Sequence, residues 1–302
     1  MKLQHEHKVV SSFLFFLEHE LCSRGKAYTN YVSEFYPVQN NYQNYYTYAA
    51  PFQQFVFDDS LSFSQGDKTR KPEIPSGIYL NDIYVQPGTS GLHAIDYNKG
   101  QLHFSLDYPA TANIRPSGRY AVKDFNIYLT NEPEHKLLFE TKFKLNPKVY
   151  QQPTGLPPDS QTYPAIYIRN LTSTNVPVSV DGPSSYRSSY YDSENYIRAI
   201  VLSDSAYLLD ACGGLMKDMK KRRVPILEAE DQPFGPLGYT GGAPFNYRDV
   251  TSGTYGDENT SFLIDEVHVT KKSQNQGDFD NLNSEVFVGF VDFTLKSLRS
   301  LG

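Results

Sequence analysis

The chain has 302 residues and carries 28 lysines and arginines against 34 aspartates and glutamates, a formal net charge of −6. That length allows one compact unit or two domains. The absence of a basic run longer than 220–223 argues against a protein that grips nucleic acid mainly by neutralising phosphates. The polar start MKLQHEHK is unlike a secretory signal, and no apolar run approaches membrane-spanning length. The expectation is folding in a cytoplasm without a membrane. Cys22 and Cys212, the two cysteines, fall on apolar helical faces and read as small buried hydrophobes in a reducing compartment.

The first predicted element is a helix over 7–24. Val9, Val10, Phe13, Leu14, Leu17 and Leu21 form a broad apolar stripe, and Gly25 is placed for the left-handed position that follows a helix. Phe15 and Phe16 widen the stripe and predict contact on a second side, from another element or another subunit. His5, His7 and His19 match no ligand spacing and read as a solvated helix start. Residues 28–57 mix Tyr and Phe with Asn, Gln and small residues almost without charge. The expected form is an ordered but irregular run of strands and loops whose rings, Tyr45, Tyr46 and Phe52 among them, insert into a neighbour. Low-complexity disorder and a ring-stacking platform for sugars or bases are the alternatives.

Residues 58–76 read as a loop. GIYLNDIYV from Gly77 predicts a hairpin with a tight turn at Asn81-Asp82. A strand through Ile95, a turn at 98–100 and alternation at Leu102, Phe104 and Leu106 continue the β pattern, with Asp96 a turn residue rather than the start of a calcium loop. Strands are predicted over 120–130, 137–145 and 162–170. Between them, 147–159 is a Pro-rich connection, and 171–193 is a polar excursion.

The most regular stretch is 196–227. Residues 196–202 alternate as a strand, Ser203 and Asp204 offer caps, and Leu208, Leu209, Cys212, Leu215, Met216 and Met219 recur at helical spacing. The basic run 217–223 then suits the carboxyl end of a helix over 204–223, and Pro225 restarts extended chain. Gly213 and Gly214 inside a helix cost about 1 kcal/mol each relative to alanine, so they predict close packing on the sheet or a neighbouring subunit, or a kink. Residues 228–261, containing Phe234, Tyr239 and Phe245, form a long Gly/Pro-rich loop. Strands over 262–270 and 286–295 close the chain.

The elements sum to an α+β fold, mostly antiparallel β, with two main helices (about 7–24 and 204–223) packed on a sheet and a β-rich insertion. No phosphate loop, nucleophile elbow or ligand-spaced histidine pair occurs. No catalytic, cofactor or metal residue is therefore singled out, and the expectation is not an enzyme.

The helix ending in SRGKAYTN, the run VKDFNIYLTNEPEHKLLFETKFKL, QTYPAIYIRN and YIRAIVLSDSAYLLDACGGLMKDMKKRRVPIL together resemble virion structural proteins of tailed bacteriophages. The element order is similar to tail-terminator and head–tail joining proteins. That resemblance implies a core from 1–57 and 160–302, a β-rich insertion over 77–146, and connecting loops at 58–76 and 147–159. It implies a six- or twelve-fold ring at the head–tail junction of the virion, assembled in the host cytoplasm. The ring would contact itself, the tail tube and the connector, with DNA only in transit through its pore. Phe15, Phe16, Tyr45, Tyr46, Phe52, Gly213, Gly214, Phe234, Tyr239 and Phe245 are the expected subunit-interface residues. The competing readings are a β-sandwich glycan- or receptor-binding tail protein and a minor head protein.

Overall fold

The computed structural model describes residues 5–37, 45–50, 54–105, 115–131, 163–178, 190–228, 230–233, 245–253, 260–272 and 286–300. In chain order these form helix α1 (His5–Arg24) and strands β1 (Tyr28–Glu34), β2 (Tyr36–Pro37), β3 (Tyr45–Ala49), β4 (Phe63–Gln65), β5 (Lys68–Arg70), β6 (Ile78–Leu80), β7 (Ile83–Val85), β8 (Leu92–Asp96), β9 (Gln101–Ser105), β10 (Pro116–Lys123) and β11 (Asn126–Leu129). The long strands β12 (Ala165–Val178) and β13 (Tyr190–Ser203) follow, then helix α2 (Ala206–Lys217) and β14 (Arg223–Pro225). Helix α3 (Tyr247–Thr251), β15 (Ser261–Lys272) and β16 (Phe287–Ser300) complete the described chain. The fold is mostly antiparallel β with few helices.

Its largest sheet has six strands in the order β11-β12-β13-β16-β15-β14. All its pairings are antiparallel except β11 with β12. The period-2 alternation sends Ile197, Ala199 and Val201 of β13 and Val291, Phe293 and Leu295 of β16 to one face, where α1 and α2 cover them. The opposite face holds a second apolar cluster, Tyr163, Ala165, Tyr167, Ile200, Leu202, Val288 and Phe290. Two four-stranded sheets, β1-β10-β6-β7 and β2-β3-β9-β8, and the β4-β5 hairpin make up the rest.

Pairing draws the internal division differently from the sequence expectation. Residues 28–57, expected with the helical core, instead join the β-rich part: β1 pairs with β10 and β3 with β9. The strand expected over 120–130 is two strands in different sheets. The break falls where Asp124 N–H donates to Ala27 O and Asn126 N–H to Pro164 O, so the chain leaves β10 for the six-stranded sheet. The described strands between 28 and 123 thus pair with one another, and one apolar core runs through them and the six-stranded sheet.

Other local expectations meet mixed outcomes. The Asn81-Asp82 turn is present, with φ of 47° and 67°, the left-handed pair that a two-residue hairpin loop requires. The expected loop 58–76 contains the β4-β5 hairpin around Gly66. The polar stretch 171–193 is not an excursion at its ends, because 171–178 and 190–193 extend β12 and β13 to 14 residues each. Its Thr, Ser and Asn side chains suit strands whose faces are wet. Residue 25 does not take the left-handed position; Lys26 does, with φ 52°. Gly25 is required for space instead, since a Cβ there would lie 2.4 Å from Leu21 O.

The second helix is shorter than expected. It is preceded by Ser205, whose side chain makes no capping bond, while Ser203 Oγ accepts from Ser205 N–H. It ends at Lys217 because Lys221 turns left-handed (φ 67°) and its N–H donates to Ile264 O, drawing the basic run into β14. The strand expected over 137–145 and the connection 147–159 lie outside the described residues.

Candidate assembly interface

The expected interface residues separate into distinct groups. Phe15 and Phe16 are buried in the chain's own core, with Phe15 facing Phe57 and Phe245 at ring-centre distances of 6.2 and 6.0 Å. The second side of α1 is therefore filled by another element, and Phe15, Phe16 and Phe245 have no surface to offer a neighbour. Gly213 is buried against β15, where an added Cβ would meet Val269 Cγ1 at 3.3 Å, whereas one on Gly214 would meet nothing within 4 Å. The close-packing expectation holds for the first glycine alone. Tyr45 and Tyr46 are half-buried; Tyr45 stacks on His93 with centres 4.4 Å apart. Phe52, Phe234 and Tyr239 lie outside the described residues.

Charged side chains concentrate where α1 meets the β-rich part. Glu18 Oε1 lies 2.7 Å from Lys123 Nζ, both buried, and the ammonium also sits 4.8 Å over the Phe57 ring. One turn of reasoning from the sequence would not find this, because Lys123 is read there as an ordinary strand residue. Next to it His19 Nδ1 and Asp58 Oδ2 are 2.7 Å apart. Asp58 Oδ1 accepts from Ser60 N–H, Ser60 Oγ–H and Tyr247 N–H, and His19 stacks on Tyr247. Burial pushes the Glu18 carboxyl up and Lys123 holds it down, while burial raises the Cys22 thiol. Four segments are tied here by polar contacts that face inward, and among the described residues no group of three or more His, Cys, Asp or Glu could hold a metal ion. The arrangement anchors these segments to one another. His19 thus belongs to the interior, not to a solvated helix start.

A second buried group lies on β9. His103 is fully buried with Nε2 3.9 Å from Asp96 Oδ2, and burial pushes its imidazole down to about 4. Asp96 accepts from Lys99 N–H at 3.1 Å, the turn role expected of it.

Exposed apolar residues occur on the β1-β10-β6-β7 sheet, where Val32 and Ile83 face solvent, and on α2 at Tyr207; other outward-looking features belong to the six-stranded sheet. Its outermost strands are short. β11 covers β12 only over Ala165–Ile168, and β14 covers β15 only over Ser261–Leu263. Beyond these, among the described residues, no strand pairs with the outer edge of β12 over 170–178 or of β15 over 265–272. The exposed β12 stretch contains Leu171 and Val176, 42% and 59% exposed, and no charged side chain. At its head a cavity of about 680 Å³ is bounded by His7 and Val10 of α1 and by Leu129, Asn131, Leu171 and Ser173. The β15 edge is charged instead: Lys271 pairs with Asp210, His268 with Glu266, and Asp265 with Lys221 and Lys296. Neither edge was legible as an edge in the sequence, because strand order is a property of the folded sheet.

No known family model matches this chain, and no curated protein is similar to it.

Proposed function

We propose that this chain is a structural subunit of a tailed-bacteriophage particle, one of a ring of copies at the head–tail junction that caps the tail tube and joins it to the connector. The sequence resemblance described above suggests the station. The observation that supports the assembly role is the six-stranded sheet: α1 and α2 cover one face, and among the described residues its outermost strands, β11 and β14, are short. A subunit with complementary surfaces on opposite sides joins copies head to tail, and a rotation that closes makes a ring. The finer fold reading, a terminator-type core carrying β-rich residues 28–123 as an insertion, goes with this proposal. Its partners are further copies, the tail tube and the connector, with DNA passing through the pore.

Negative-stain imaging of the purified protein is the test. Six- or twelve-fold rings with a central pore support the reading, and ring density at the neck of intact particles supports the station. Trimers or monomers that bind a host glycan overturn it in favour of a receptor-binding tail protein.

A further inference from the structure

We propose that the outer face of the β1-β10-β6-β7 sheet binds a neutral saccharide, held between Tyr79 and Glu34 over Ser117. The site goes beyond the ring reading and does not depend on it.

Alternation sorts this sheet into two faces. Tyr31, Tyr120 and Ile78 point inward, where the two tyrosines stack on each other and Tyr120 and Ile78 belong to the apolar core. The strand pairings then set the outward side chains in rows: Val32 beside Arg119, and Glu34 beside Ser117, Tyr79 and Tyr84 in turn. Val32, Tyr79 and Tyr84 are 74%, 43% and 45% exposed. One exposed apolar side chain on a strand is ordinary. Here three share a face with a carboxylate and a guanidinium, around a hollow of about 340 Å³ lined by Val32, Glu34, Tyr79, Ser117 and Arg119.

The hollow follows from side-chain size. In the row from Glu34 to Tyr84, Ser117 is the short side chain. The Glu34 carboxylate stands on one side of it and the Tyr79 ring on the other, two strand spacings or roughly 10 Å apart. The aromatic wall is braced. Tyr84 OH and Ser76 Oγ share a hydrogen bond of 2.8 Å, and the Tyr84 ring meets Tyr79 at 61° with centres 5.4 Å apart. A ring held in this way loses little freedom on binding. The charged walls keep hydrogen-bonding capacity, because their ion pairs are long: Glu34 to Arg115 at 3.7 Å and Arg119 to Glu73 at 3.8 Å.

These walls select a ligand by charge and polarity. Glu34 opposes an anion and Arg119 a cation. A wholly apolar ligand would strip water from both without replacing its hydrogen bonds. A neutral sugar ring suits every wall. Its C–H face lies on Tyr79 and Val32, and its hydroxyls donate to Glu34 and accept from Arg119, with the Ser117 hydroxyl able to do either.

Saturation-transfer NMR on the full chain, with the methyl glycosides of glucose, galactose, mannose and N-acetylglucosamine, reads the contact directly. The expected result is transfer to at least one glycoside, strongest at its ring C–H protons. Tyr79→Ala should weaken the binding about tenfold, and Glu34→Gln should weaken it too. Tyr207→Ala, which removes a ring still more exposed (79%) on α2, should leave it unchanged. Ser117→Leu fills the hollow while keeping its walls and should abolish the transfer, which keeps the site testable should Tyr79→Ala fail to fold. No transfer to any of the four glycosides, or transfer that survives both Tyr79→Ala and Ser117→Leu, would overturn the site. Self-association that Val32→Asp abolishes, without transfer, would overturn it in favour of a contact between copies. The state of assembly is read separately: rings without transfer overturn this site alone, and monomers or trimers with transfer overturn the ring reading alone.

Discussion

The junction beneath α1 and the outer edges of the six-stranded sheet treat polar groups in opposite ways. At the junction, Glu18 meets Lys123 and His19 meets Asp58 among buried aromatic rings. At the edges, the charges of β15 stand in water and the backbone of β12 beyond Ile168 faces outward. The interior is closed on itself, whereas the charges of the β15 edge are exposed to solvent. On the proposed ring reading, stability and assembly reside in different residues, and substitutions can separate them.

The largest expected effect is at the junction. Removing one partner of a buried pair leaves the other charge uncompensated, which costs about 3–5 kcal/mol. Glu18→Ala or Lys123→Ala should lower the unfolding free energy by that amount in denaturant titrations, and Glu18→Leu/Lys123→Met together should recover much of it. A loss under ~1 kcal/mol for the single variants would erase the contrast between interior and edge.

The interior should also be sensitive to acid. The His103 imidazole is held down to about 4 from an ordinary 6.5 by burial, so the unfolded chain binds a proton that the folded chain refuses. Stability should fall as pH drops from 6.5 towards 4, by up to about 3 kcal/mol. Asp96, raised by burial, acts in the opposite sense and reduces the net slope. Urea midpoints between pH 7 and 4.5 should therefore move less in His103→Leu than in the parent chain; equal slopes would remove His103 from the account.

The paired glycines of α2 give a smaller and finer contrast. Gly214→Ala adds a methyl in open space and should stabilise by up to about 1 kcal/mol through helix propensity. Gly213→Ala gains the same propensity but pushes on Val269, so thermal melts should place it below Gly214→Ala. The reverse order would mean that α2 lies differently on β15. Smallest of all is Lys296→Ala on the outer face, where the ammonium bridges Glu194 and Asp265 at 2.9 and 3.1 Å. Exposed pairs contribute little, and the denaturation midpoint should not move.

Periodicity made the long elements readable. The stripe from Val9 to Leu21 and the alternations around Ile197 and Val291 translate directly into α1, β13 and β16. What stayed hidden were features that depend on partners remote in sequence. The basic run after Lys217 has helical propensity, yet Ile264 offers its residues sheet bonds and ends the helix. Residues 171–178 look like a loop because they are polar, while β13 pairs with 172–178 residue by residue, past an irregularity at Leu171. Tyr28 to Glu34 resembles a rim of the helical core but pairs with β10 across about ninety residues of chain. Of the expected interface residues, Phe15 and Phe16 look surplus to one helix face and Phe245 sits in a Gly/Pro-rich stretch, because the rings that enclose them lie on segments far along the chain.

The most direct test of the proposed assembly is the native mass of the purified chain, measured beside its melting temperature. The expected result is a folded ring of six or twelve copies rather than the single-chain mass of 34.3 kDa. A folded monomer or trimer would contradict the account.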